Sequence, residues 1–124
     1  MPTPLPTESE LAILQVLWEA GPSSVREVQQ ALDSSVGYTG ILKLLQLMAG
    51  KGLVRRDESA RAHLYHAAEP RAKTEARLVR RLADRAFGGS TANLVLRALS
   101  EKRASADELR QIRALLDQAD RTAR

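Results

Sequence analysis

A set of polar side chains between residues 38 and 46 has the types and the spacing needed to bond DNA bases. Lysine can donate to guanine or to phosphate, and glutamine can bond adenine through two atoms. Threonine and tyrosine offer hydroxyl groups and apolar contact to a thymine methyl group. On a helix, the four side chains fall mainly on one face; they are Tyr38, Thr39, Lys43 and Gln46. A polar helix face is more often plain solvated surface, so the elements around it decide between the two interpretations.

A second set of cationic and polar side chains follows between residues 55 and 63. It comprises Arg55, Arg56, Arg61 and His63. Arginines around a hairpin commonly hold phosphates or enter a minor groove. The alternative for Arg55 and Arg56 is a solvated strand end. We therefore predict a second DNA-binding segment here, next to the helix that carries the first.

The sequence contains no residue pattern that favours a catalytic site or a metal site. His63 and His66 form a His-x-x-His pair, but residues three apart on a strand point to opposite faces and chelate a metal poorly. The sequence has no glycine-rich phosphate loop, no serine–histidine–acid order and no helix with paired carboxylates. We predict no enzymatic activity, no metal site and no cofactor.

The first half of the chain has the pattern of three helices. Capping boxes at Thr7–Glu10 and Ser24–Glu27 begin the first two, and apolar spacing of three and four residues defines the third. The predicted ranges are 7–20, 24–33 and 38–50, with a polar turn at 33–37 and a glycine at Gly52 ending the third helix. Residues 1–6 hold three prolines and form a leader that frays unless it docks.

The hydrophobic pattern then changes to that of short strands. Residues 53–56 and 62–67 predict two antiparallel strands around a polar turn at 57–61. Three helices and a hairpin within about 62 residues are typical of a winged helix containing a helix-turn-helix. We therefore expect a mainly α fold with a small antiparallel β hairpin, in which 1–70 form a winged-helix DNA-binding domain.

The second half predicts three amphipathic helices between 71 and 118. Gly88-Gly89 ends the first, Ser90 caps the second, and a third capping box at Ser105–Glu108 begins the last, with fraying from Asp120. Short helices cannot bury their apolar stripes well alone, so we expect 71–124 to form a helical homodimerisation domain; an intramolecular subdomain is the alternative. The candidate dimerisation residues are Leu78, Leu82, Leu94, Val95, Leu109, Ile112 and Leu116.

The distribution of charge along the chain, rather than the net charge of the whole chain, agrees with a nucleic-acid partner. The 124 residues carry a net charge of +4, yet residues 1–35 are net −4 and residues 36–66 are net +3. The local basic block coincides with the predicted recognition helix and hairpin. The absence of cysteine excludes thiolate metal sites and fits a reducing cytoplasm. No signal peptide or apolar run long enough to insert in a membrane is visible.

From about residue 5 to 118, the sequence resembles the penicillinase-repressor (BlaI/MecI/CopY) family of transcriptional repressors. The segments that carry the resemblance are 5–11 (LPTESEL), 16–18 (VLW), 37–39 (GYT) with 44–45 (LL), 51–56 (KGLVRR) and 61–65 (RAHLY). The resemblance implies a homodimer that binds palindromic operator DNA through its winged helix. The alternatives are a protein-interaction winged helix and a nonspecific architectural DNA binder.

The chain departs from the family pattern in four respects. Copper-responsive members carry cysteine motifs, which are absent here, so thiolate copper sensing is excluded. In β-lactam-responsive members, a membrane-sensor metalloprotease pathway cleaves an Asn-Phe bond in the fifth helix; the matching position here is Arg97-Ala98. Gly40 follows the Tyr-Thr pair where members typically have a second threonine, and Ala60 replaces the usual glycine of the wing.

Overall fold

A computed structural model describes residues 3–32, 36–59, 61, 63–101 and 103–123. The chain forms two compact units, Met1–Val79 and Arg80–Arg124, and the division falls inside a helix. Some positions of the predicted elements lie outside the described residues, namely 33–35 of the polar turn and Ala60 and Ala62 of the hairpin. Lys102 lies outside them as well. The functional division at residue 70 stays a prediction.

Three helices begin the first unit, at nearly the predicted bounds: α1 (Glu8–Ala20), α2 (Val25–Leu32) and α3 (Tyr38–Lys51). Both predicted capping boxes are present, because Thr7 and Ser24 each exchange hydrogen bonds with the glutamate three residues on. Gly52 ends α3 at φ 83°, and its N–H donates to the carbonyls of Met48 and Ala49. A side chain at this φ would be strained, which is why glycine suits the position.

The hairpin consists of β1 (Val54–Asp57) and β2 (Leu64–Ala67), paired antiparallel with Val54 opposite Ala67 and Asp57 opposite Leu64. A bridge that the sequence did not reveal joins Ser23 to Tyr65, through N–H···O bonds of 2.9 and 2.8 Å. This bridge ties the loop between α1 and α2 to the second strand of the hairpin. It therefore holds the start of α2 beside the hairpin.

One hydrophobic core joins the three helices to the hairpin. Apolar side chains at helical spacing provide most of it, and the hairpin closes it with Tyr65, which is 2% exposed. The buried core consists of Ile13, Leu14, Leu17, Val25, Val28, Ile41, Leu45, Met48, Leu53, Val54 and Tyr65. Because α3 buries one face in this core, its opposite face must remain at the surface.

Three further helices complete the chain: α4 (Arg71–Ala86), α5 (Thr91–Glu101) and α6 (Ala106–Thr122). The third capping box, Ser105–Glu108, is present as predicted. Fraying from Asp120 was predicted, but α6 continues to Thr122, where the Thr122 hydroxyl donates to the carbonyl of Gln118. The mainly α fold with an antiparallel hairpin is confirmed.

The leader docks from Thr3 onward rather than fraying. Thr3, Leu5 and Pro6 are half-buried, and the Thr3 carbonyl accepts a 2.9 Å hydrogen bond from Arg77 Nη1.

The structure explains why a glycine occupies position 40, in the first turn of α3. A Cβ atom at this position would overlap Cγ1 of Val36, so any larger residue requires Val36 to move.

Candidate nucleic-acid interface

The four predicted recognition residues all lie on the exposed side of α3. Ile41, Leu45 and Met48 are buried on its inner side. Tyr38 begins the helix and is 45% exposed. Thr39, Lys43 and Gln46 are also exposed. The described residues provide no acidic partner for Lys43, whose ammonium is therefore available to a ligand.

A groove of about 580 Å³ brings several predicted residues from α3 and the hairpin to one surface. The predicted residues that line it are Tyr38, Gln46, Arg56, Arg61 and His63. Thr39, Lys43 and Arg55 do not line this groove. Thr39 and Lys43 lie beside it on the exposed side of α3. The groove and the adjoining helix face are called the basic groove surface below.

The start of α2 supplies residues that the sequence prediction missed. Ser24, Val25 and Arg26 line the same groove. The guanidinium carbon of Arg26 lies 5.9 Å from the centroid of the Tyr38 ring, within the range of a cation–π contact. One signal could have revealed Arg26: it is the single lysine or arginine in residues 1–35. It also lies two residues after a helix cap.

Strand alternation separates the two neighbouring arginines that the prediction grouped together. In the antiparallel register, Arg56 lies opposite Tyr65, whereas Arg55 lies opposite His66. Adjacent residues of a strand point to opposite faces. Arg56 therefore shares the face of buried Tyr65 and lines the groove, while Arg55 points to the other face of the hairpin.

One acidic residue beside the hairpin turn pairs with an arginine that lines the groove. Arg56 forms an exposed ion pair with Glu58. Hydrogen bonds to Glu58 and to Tyr65 raise the pKa of Arg56. The neighbouring Asp57 accepts from the hydroxyl and the N–H of Ser59, at 2.6 and 2.9 Å, and these bonds lower the pKa of Asp57. The turn thus carries negative charge beside a cationic groove.

The predicted dimerisation residues are only partly covered within the chain. Leu78, Leu94, Leu109 and Ile112 are half-buried. Leu82 is 51% exposed, Val95 is 38% exposed and Leu116 is 59% exposed. Four further exposed apolar residues of α4, α5 and α6 were not among the predicted dimerisation residues: Val79, Leu96, Leu99 and Leu115. Exposed apolar side chains on neighbouring turns of helices are typical of surfaces that become buried by association.

The candidate cleavage position lies within regular helix. Arg97 and Ala98 are exposed residues of α5, and Arg97 Nη1 is 3.5 Å from the carboxylate of Glu101. Neither an ordered loop nor an extended segment presents this bond.

The described residues contain no group of three or more metal-binding side chains. His66 Nδ1 lies 3.2 Å from the carbonyl oxygen of Ala67, and His63 is exposed and lines the groove. Within the described part of the chain, no helix is both long and apolar enough to span a membrane.

Comparison with known proteins relates this geometry to transcriptional regulators. The family model described as "Penicillinase repressor" matches residues 6–118. A MarR family protein from Bacillus stearothermophilus is similar in structure, with a TM-score of 0.53 and 18% identity over 96% of this chain and 76% of that one. The transcriptional regulator Tm0710 from Thermotoga maritima gives a TM-score of 0.50 and 19% identity, over 94% and 77% of the two chains. No curated protein matches.

Proposed function

Because the chain belongs to the penicillinase repressor family, we propose that it is a homodimeric repressor that binds palindromic operator DNA through α3 and the hairpin. The family and the fold are those of transcriptional regulators. The observation that supports the proposal most strongly is the basic groove surface. It joins α2, α3 and the hairpin at the exposed face of the helix.

In this proposal α3 enters the major groove. Thr39, Lys43 and Gln46 contact base edges there, and Tyr38 offers its ring and its hydroxyl at the start of the helix. Arg26, Arg56, Arg61 and His63 lie around the adjoining groove. Guanidinium groups suit phosphate oxygens because they donate two parallel hydrogen bonds. These residues hold the backbone in place while α3 reads sequence.

Arg55 has a separate role in the proposal. It lies on the opposite face of the hairpin from Arg56, so it can reach a phosphate only on the outer side of the wing.

The +6 net charge of residues 71–124 adds long-range attraction for DNA but does not distinguish between base sequences.

The palindromic site follows from a proposed two-fold dimer. The exposed apolar side chains of α4, α5 and α6 associate between two copies, because a single copy leaves them in water. Two recognition helices then meet half-sites about 34–36 Å apart, or a multiple of that distance. Binding of both half-sites by linked units gives the dimer its affinity, so dissociation of the dimer releases the operator.

Relief of repression by a membrane-sensor protease pathway remains part of the proposal. Cleavage between Arg97 and Ala98 would separate α6 from the rest of the chain and disrupt the dimer. The bond lies within α5, so cleavage requires this helix to unwind locally. The proposed function requires access to DNA, which supports a cytoplasmic location as part of the same proposal.

A band-shift experiment tests the proposed interface. A palindromic duplex is first selected from random double-stranded DNA by the wild-type protein. Lys43→Ala and Arg61→Ala should each weaken binding by about tenfold, with unchanged circular dichroism. Arg103→Ala is the control, because it removes an exposed cation from the connection between α5 and α6.

The salt dependence separates the possible functions. Loss of a phosphate contact should reduce the slope of log affinity against log salt by about 0.9. Unchanged affinity for both variants would exclude the proposed surface. Steep salt dependence without sequence preference would indicate an architectural DNA binder, and weak affinity for every duplex would indicate a protein-interaction winged helix.

A further inference from the structure

The connection between the hairpin and α4 is held by a single carboxylate. Glu69 Oε1 accepts hydrogen bonds from the Thr74 hydroxyl at 2.7 Å and from Arg77 Nη2 and Nε at 2.5 and 3.2 Å. The backbone carbonyl of Glu69 accepts from Trp18 Nε1 at 3.2 Å. This one residue therefore joins α1, the connection and the first turns of α4.

Arg77 extends this arrangement to the N-terminal leader. Besides Glu69, its guanidinium donates to the carbonyl oxygen of Thr3 at 2.9 Å. Thr74, which lies on α4 about one turn before Arg77, is 1% exposed. We call the set formed by Thr3, Trp18, Glu69, Thr74 and Arg77 the Glu69 hub.

A further contact holds the first turn of α4 against α1. The guanidinium carbon of Arg71 lies 5.5 Å from the centroid of the Trp18 ring, and Arg71 Nη2 donates to Gln15 at 2.5 Å. Glu19 lies 3.6 Å from the same nitrogen. The start of α4 is thus restrained by polar contacts at several points along α1 and the leader.

These contacts have no evident role in reading DNA. The residues of the Glu69 hub do not line the basic groove surface, and Glu69 is an acid. Hydrogen bonds from Thr74 and Arg77 lower the pKa of Glu69, so the carboxylate is charged at neutral pH. Without this carboxylate, the Ala68 N–H would still donate to the Leu53 carbonyl at 3.0 Å, and the Pro70 ring would still fix its own φ. The backbone bonds between these two points would lose the contacts to Thr74 and Arg77 and regain rotational freedom.

We propose that Glu69 is a positioning residue that fixes the direction in which α4 leaves the winged helix. This inference rests on the proposed function for its consequence on DNA: a fixed direction of α4 in both copies makes the dimer selective for one half-site spacing. A short hinge in place of the hub would let the dimer engage several spacings with similar affinity.

The direction of α4 can be measured without DNA and within one chain. The chain has no cysteine, so Ala12→Cys and Ala76→Cys place spin labels only on exposed positions of α1 and α4, both within the first compact unit. Labelled protein diluted with unlabelled protein reports the distance within a single copy. We expect one narrow distance distribution, which Glu69→Gln broadens at least about twofold because Arg77 loses its charged partner.

Glu75→Gln is the matched control, since it makes the same chemical change at an exposed position of α4 without an ion pair among the described residues. It should leave the distribution narrow. An equally narrow distribution for Glu69→Gln would overturn the positioning role, whatever the outcome of the DNA experiments.

The DNA consequence is tested with the selected palindrome and with duplexes in which one or two base pairs are added between the half-sites. Glu69→Gln should bind a single half-site as the wild type does, yet its preference for the original spacing should fall at least about threefold. A parallel loss of half-site affinity would show a merely structural role and overturn the inference. If the wild type binds no duplex, the proposed function fails, while the spin-label distances still decide whether Glu69 positions α4.

Discussion

The ion pair between Glu10 and Lys51 fixes the end of the proposed recognition helix, and its two partners should respond unequally to substitution. Glu10 is 2% exposed; its two oxygens accept from the Thr7 N–H at 2.9 Å and from Lys51 Nζ at 2.8 Å. The Lys51 side chain remains 38% exposed. An ammonium that loses its partner can therefore turn to water, whereas the carboxylate cannot.

The magnitude follows from this asymmetry. Removing one partner of a fully buried pair costs about 3–5 kcal/mol, because the other charge stays buried. Lys51 is partly solvated, so water gains some access to Glu10 after its removal, and we expect Lys51→Met to cost about 2 kcal/mol of unfolding free energy. Glu10→Gln keeps the acceptor for Thr7 and should cost about 1 kcal/mol. The double variant should cost less than the sum, since both changes remove one shared contact.

The pH dependence provides an independent check with a definite sign. Burial by itself would raise the pKa of Glu10, but the hydrogen bonds from Lys51 and Thr7 bring it below its ordinary value of 4.5. In the wild type, the carboxylate therefore contributes stability above pH 4.5 that is lost as the pH falls through the lower folded pKa. In Lys51→Met, burial prevails and Glu10 takes up a proton more readily. The difference in stability between the two proteins should shrink from pH 7 toward pH 4.

Urea unfolding followed by circular dichroism at several pH values measures these differences. Lys43→Met is the matched control, because it removes an exposed lysine from the same helix and should change stability by less than about 0.5 kcal/mol. The reasoning is refuted if Glu10→Gln costs more than Lys51→Met. A stability gap that is the same at pH 4 and pH 7 would refute it equally.

Two further predictions concern the groove and the dimer. Glu58→Gln should tighten DNA binding by up to about fivefold in band shifts, because it frees Arg56 and removes a negative charge. The control Glu101→Gln breaks an exposed ion pair on α5 and should leave DNA binding unchanged. Equal effects of the two substitutions would argue against the groove as the DNA-binding surface. Leu82→Asp should dissociate the dimer in sedimentation while circular dichroism stays unchanged, because the side chain is 51% exposed within one chain. A dimer that persists would place the interface elsewhere.

Most of the helices, the hairpin and the helix caps were predictable because their signals are local. Each of the three capping boxes needs only a serine or threonine and a glutamate three residues later, and all three are present. The spacing of Ile41, Leu45 and Met48 likewise sets which side of α3 is buried, and therefore which polar residues are exposed. Periodicity is a property of the chain itself, so the sequence suffices for it.

The partners that meet across the fold were decided by tertiary packing. Arg26 comes beside Tyr38 because α2 and α3 pack on one core, and Lys51 meets Glu10 across 41 residues of sequence. The hub contact between Arg77 and Thr3 spans 74 residues. The sequence shows the charges of these residues but not their distances, because many distant pairs of opposite charge are equally compatible with it. Only the packed core, which fixes the relative positions of the helices and the hairpin, selects the pairs that form.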